Sequence, residues 1–162
     1  VAWDDAGAVL EAGSGLMPHP FPHHYEVALE WTKDGDKSQI TAGERAPIAG
    51  GSPPEFDGTD LSRWSPEHLI LAALSQCLFL TWVSLNKRSA IPLLSWKGSG
   101  ASTLDKTREG LVFSELKVGV KMSVPAERIE EARKLLDTAK KYCIIANSLK
   151  TPTTLEAEVV AG

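Results

Sequence analysis

The chain predicts an α+β fold in which antiparallel sheet wraps two long helices, assembled as an obligate homodimer. Three observations carry this reading. Residues 69–83 form an apolar run, residues 126–150 carry one apolar stripe at spacings of three and four, and several segments alternate apolar with polar residues. Period two marks a half-buried strand and spacings of three and four mark an amphipathic helix. The dimer follows from the apolar run: a helix apolar nearly all round is buried on most sides. One chain with a single further long helix has little material to cover it.

The elements follow in order. Residues 1–22, with three glycines and the prolines of "MPHPFP", read as a poorly structured lead-in, and residues 23–162 as the domain. In "HYEVALEW", Tyr25, Val27, Leu29 and Trp31 alternate with Glu26, Ala28 and Glu30, a strand. "KDGD" supplies a turn, and a short strand near Ser38–Thr41 follows. Residues 43–64 are rich in glycine and proline and read as a long surface loop, a place where function often resides. Ser65 then caps a helix over 65–89, with Pro66 at its first position and Glu67 on the positive end of its dipole. Strands are expected near 93–104 and 112–122. From Pro125 a second long helix runs to about 150, with Ile129, Ala132, Leu136, Ala139 and Cys143 as its buried stripe, and "TTLEAEVV" closes with a strand.

Composition bounds the function. With 17 Lys and Arg against 21 Asp and Glu, the net charge of −4 argues against a nucleic-acid binder. The apolar run Leu69–Val83 is interrupted by Ser75, Gln76 and Cys77 and falls short of the roughly 20 residues of a membrane span. No charged segment followed by an apolar one opens the sequence, so no signal peptide is read and a cytoplasmic location is expected. The two cysteines, Cys77 and Cys143, have neither the spacing of a metal site nor that of a secreted disulfide framework. His19, His23 and His24 lack a fourth ligand nearby, so no metal and no cofactor is expected. His68 is expected to be partly exposed; Trp82 and Trp96 read as core, lining an apolar pocket in the version where the substrate is lipid-like.

From composition, the cysteines read first as packing material, since free cysteine is among the most buried residue types. Their surroundings open a second reading. "SPEHLILAALSQC" and "CIIANSLKTP" resemble two signature segments of the OsmC/Ohr family of organic hydroperoxide reductases. In that family a Ser/Asn-Pro-Glu helix start precedes the peroxidatic cysteine by ten residues counted from its glutamate; here 77 − 67 = 10. In the second segment Cys143, Ile145, Ser148 and Leu149 match, while Ile144 stands where the family carries proline. "HHYEVALEW" and "PPEFDG…SRWSPE" extend the resemblance to residues 23–160.

The resemblance implies an intertwined homodimer and a thiol peroxidase without metal or flavin. Cys77 would attack an organic hydroperoxide and become a sulfenic acid, and Cys143 would condense with it to a disulfide. An external dithiol, in the family a lipoylated protein, would reduce that disulfide. Glu67 would orient a cation that holds Cys77 as thiolate. Ten residues of straight helix rise about 15 Å, so Glu67 would serve the partner's Cys77 across a two-fold axis; otherwise it only stabilises the helix dipole. The family's strand arginine has no counterpart in "GDKSQIT". Lys37, Arg45 and Arg63 are the cations at hand, with Arg63 favoured. The rival readings are a binder of small apolar ligands with inert thiols, and a redox-sensing stress protein without turnover.

Overall fold

The computed structural model of the chain describes residues 21–108 and 110–162. The expected lead-in, but for Phe21 and Pro22, lies outside the described residues, as does His19. The chain divides into two compact units, one ending at Ile70 and one running from Leu71 to Gly162.

In the first unit, β1 (Ala28–Trp31), β2 (Ser38–Thr41) and β3 (Ile48–Gly50) form an antiparallel sheet in that order. Trp31 pairs with Ser38, and the turn between them is held by Trp31 Nε1–H donating to Gly35 O at 3.0 Å and by Lys37 on Asp34 at 2.7 Å. The loop expected over 43–64 is not structureless. It contains β3 and a 3-10 turn over Pro54–Phe56, and Trp64 N–H donates to Ala49 O at 2.9 Å. Three residues are too few to display strand alternation, which is why the sequence hides β3. The helix α1 (Pro66–Ser89) starts as expected. Buried Ser65 accepts the His68 N–H at 3.4 Å and hydrogen-bonds the His68 ring at 2.8 Å.

The second unit holds the rest of α1, then β4 (Ser95–Thr107), β5 (Gly110–Val124), α2 (Ile129–Lys141), α3 (Ile144–Ser148) and β6 (Thr153–Ala161). Its sheet order is β4-β5-β6. The expectation of an antiparallel sheet holds for β4 and β5, but β6 runs parallel to β5. The two helices between β5 and β6 supply the crossover that parallel neighbours require. Alternation puts Leu116, Val118, Val120, Met122 and Val124 of β5 on one face, all buried. Against them lie Ala132, Leu136 and Ala139 of α2 and Leu74, Leu78 and Trp82 of α1.

Two glycines let α1 approach β4. A Cβ on Gly98 would sit 2.7 Å from Ser75 Oγ, and one on Gly100 would sit 3.1 Å from Leu71 Cβ. Gly100→Val is therefore expected to lower stability by about 1–3 kcal/mol, read as a lower urea midpoint with unchanged slope.

At 24 residues α1 outruns the apolar run Leu69–Val83, and by length and composition alone it would suit a bilayer span. Its Leu74, Leu78 and Trp82 are instead packed into protein core. It ends where Asn86 clasps Ile91 through both backbone groups, at 2.8 and 2.9 Å, and Ala90 turns to φ +49°. Arg128 donates to the carbonyl of Ser89, the last residue of α1, at 2.9 Å.

The second long helix is not continuous. It stops at Lys141, the chain is extended at Cys143 (φ −66°, ψ 109°), and α3 restarts at Ile144. Cys143 is buried as expected, but at a helix break and not on the α2 stripe.

Candidate active site

Cys77 lies mid-way along α1, partly buried against the core, and its carbonyl accepts the Thr81 hydroxyl at 2.8 Å. Cys143 is 1 % exposed. The break after α2 leaves its side chain directed inward with the Cys77 thiol near enough to bear on its titration. The chain thus brings together two thiols 143 − 77 = 66 positions apart. Both are free, and the sulfurs are not at disulfide distance.

Burial pushes the Cys143 thiol up to about 11. The backbone N–H of Ala146 pulls it back in part, the Cys77 thiol raises it further, and the N–H of Ile145 lowers it slightly. Cys143 therefore rests as a thiol at neutral pH. At pH 8 iodoacetamide is expected to leave Cys143 unlabelled in the folded protein, with labelling rising as pH approaches 11, followed by peptide mass mapping. The sign for stability runs the same way. The folded state holds the Cys143 proton more tightly than the unfolded one, so this contribution is fully present below about 9 and lost as pH rises through about 11.

Glu67 sits in the first turn of α1 and lines a cavity of about 300 Å³ with Asp36, Ser38, Ser52, Phe56 and Trp64. Its Oε2 is buried without a hydrogen-bond partner. The three candidate cations are bonded to other groups. Arg63 holds Asp60 at 3.0 Å and donates to the carbonyls of Ser38 at 3.3 Å and Gly50 at 3.2 Å. Lys37 holds Asp34, and Arg45 donates to Ala42 O at 3.1 Å. Arg63 thus ties the loop to β2 and β3. Arg63→Ala is expected to cost about 1–3 kcal/mol by orphaning these acceptors, seen as a lower thermal midpoint.

His68 is exposed, as expected. Trp96 packs between Phe79 and Trp82, at ring separations of 5.2 and 5.8 Å. One neighbour of the thiols was missed from sequence: Lys140 lines a small cavity with Cys143 and Thr153. Its place three residues before Cys143 on a helical pattern was the available signal.

The sequence profile of the OsmC-like protein family matches residues 58–158, more than half of the chain. The chain belongs to that family. No curated protein matches it. Among solved structures it is similar to an OsmC-like protein from Vibrio cholerae, at 17 % identity and a TM-score of 0.76 over 85 % of this chain and 100 % of that one. It is also similar to an organic hydroperoxide resistance protein from Elizabethkingia anophelis, at 16 % identity and a TM-score of 0.66 over 89 % and 99 %. One from Bacillus subtilis aligns at 18 % identity and a TM-score of 0.62 over 84 % and 98 %. At these identities the likeness is one of fold, a mixed α+β arrangement of two sheets and two helices.

Proposed function

We propose that the protein is a cytoplasmic cysteine peroxidase that reduces organic hydroperoxides to alcohols, with Cys77 peroxidatic and Cys143 resolving. The observation that supports the reading is the proximity of the two thiols inside the second unit, though not at bonding distance. In the first step the Cys77 thiolate takes the distal oxygen of the hydroperoxide; the O–O bond breaks and the alkoxide leaves as the alcohol. The Cys143 thiol then displaces hydroxide from the Cys77 sulfenic acid, giving water and a disulfide. An external dithiol returns both sulfurs to thiols. A shift of the chain at the Cys143 break closes the remaining gap between the sulfurs.

The working unit in this reading is an obligate, intertwined homodimer whose sheet wraps the central helices. Its support is apolar surface that one chain leaves bare. Tyr25, Val27, Leu29 and Trp31 are 89, 74, 66 and 58 % exposed, and Leu80 on α1 is 52 % exposed. Helical spacing puts residues 67, 70, 73, 77 and 80 along one side of α1. Two such sides crossing antiparallel bring Glu67 of one protomer toward Cys77 of its partner. There Glu67 would hold the cation that favours the thiolate, with Arg63 exchanging a carbonyl tie for that role.

A redox sensor is the second reading, favoured by the engagement of Arg63, Lys37 and Arg45 elsewhere. Steady-state assays with cumene hydroperoxide and dihydrolipoate separate the two. The peroxidase reading expects many turnovers per chain; a single stoichiometric oxidation followed by arrest would overturn it in favour of the sensor.

A further inference from the structure

The cavity of about 300 Å³ beside Glu67 lies wholly within the first unit, between residues 29 and 69. Its volume is at the lower end of those that hold small molecules. Two carboxylates, Asp36 and Glu67, line it, and among the described residues no lysine or arginine does. Leu29, Ile40 and the rings of Phe56 and Trp64 supply apolar wall.

The two carboxylates differ in what they already hold. Asp36 accepts the Ser52 N–H at 2.7 Å, and hydrogen bonds from Ser52 hold its carboxyl below the usual range, with a smaller pull from Lys37. Glu67 Oε2 is buried and accepts no hydrogen bond. The cations nearby are engaged with other groups: Arg63 with Asp60 and the carbonyls of Ser38 and Gly50, Lys37 with Asp34. A buried carboxylate oxygen without a partner is costly, and a cation carried in by a ligand removes that cost.

We infer that this cavity binds a small organic cation, a guanidinium or ammonium group on a short alkyl body. The head group donates to Glu67 Oε2 and shares the field of Asp36, while the alkyl body lies against Leu29 and Ile40. Phe56 and Trp64 add the attraction of aromatic rings for a cation. A guanidinium suits the site better than an ammonium, being planar, weakly hydrated and able to stack on a ring. A neutral ligand leaves Glu67 Oε2 without a charged partner, and an anion meets two like charges, so the wall selects charge as well as size. The inference goes beyond the peroxidase reading and stands without it. Under that reading, Arg63 and the ligand compete for the one carboxylate of Glu67.

The test titrates the full chain with n-butylguanidinium, followed by calorimetry and by the tryptophan indole N–H signals in NMR. Saturable binding is expected, with n-butylurea, a neutral molecule of nearly the same shape, weaker by about tenfold or more. Glu67→Gln keeps the side-chain shape and is expected to weaken the cation about tenfold. Trp64→Leu is expected to weaken it about threefold. Glu130→Gln removes an exposed carboxylate of α2 and should leave the affinity within about twofold, which excludes a general effect of net charge. Absence of saturable binding overturns the inference, and so does n-butylurea binding as tightly as the cation. Equal affinity in Glu67→Gln and the parent overturns it as well. Should Glu67→Gln not fold, the comparison of cation with urea on the parent decides alone.

Discussion

Cys77→Ser is expected to reduce hydroperoxide consumption to the uncatalysed background, a loss of about 10³-fold or more. A serine hydroxyl cannot supply the polarizable sulfur anion that accepts the peroxide's distal oxygen, and no other thiol in the chain occupies that position. The substitution is nearly isosteric at a partly buried position, so the thermal midpoint should stay within about 1 kcal/mol of the parent in stability. That separates lost chemistry from lost fold. Cys143→Ser should behave differently. The first oxidation persists and consumes one thiol per chain, but the product stays a sulfenic acid that dimedone labels, and turnover with a dithiol collapses. Full activity in the Cys77 variant would remove the mechanism outright.

Trp82→Ala is expected to destabilise the fold by about 3–5 kcal/mol. Trp82 is fully buried, on the α1 stripe it shares with Leu74 and Leu78, and it packs its ring on Trp96 at 5.8 Å. For a chain of this size that loss corresponds to a fall in thermal midpoint of roughly 10 °C. The phenylalanine variant makes a sharper comparison. Trp82 Nε1 is buried with no hydrogen-bond partner. An unsatisfied buried donor costs about 1–3 kcal/mol, so Trp82→Phe recovers part of the lost packing by removing it. The order expected in urea unfolding is parent, then Phe close behind, then Ala far below. Equal losses for Phe and Ala would contradict this account of the core.

Particular residues show what sequence reveals and what it hides. The start of α1 was legible because Ser65, Pro66 and Glu67 each have a local physical reason to stand at a helix N-terminus, and Ser65 makes the capping bond. The buried face of β5 was legible because its alternation is strict over Leu116, Val118, Val120 and Met122. The break at Cys143 was not. Its segment, "KKYCIIANS", lacks proline and glycine, and Ile144 stands where the resembling segments carry proline. The extended backbone there comes from tertiary packing of a buried thiol, which a local pattern does not encode. The parallel pairing of β6 was hidden for a related reason: alternation identifies a strand but not its neighbour or direction.

The site was legible in its sulfurs and less so in its charges. Cys143 was read as buried, and it is; Cys77, read as facing the core, is partly buried against it, and the two sulfurs that the resemblance pairs are not at disulfide distance. Arg63 was read from its distance to Glu67 along the chain. The carbonyls of Ser38 and Gly50 that receive its guanidinium come from strands 25 and 13 positions away, so no local pattern announces them. Lys140 was given no role in the sequence reading, although it lines the cavity of Cys143.

The most direct measurement is a non-reducing peptide map of the full chain after one equivalent of an organic hydroperoxide. The account predicts one new species, a peptide pair joining Cys77 to Cys143 of the same chain, with two thiols lost per chain. Two surviving thiols, or oxidation confined to a bond between Cys77 residues of different chains, would contradict it.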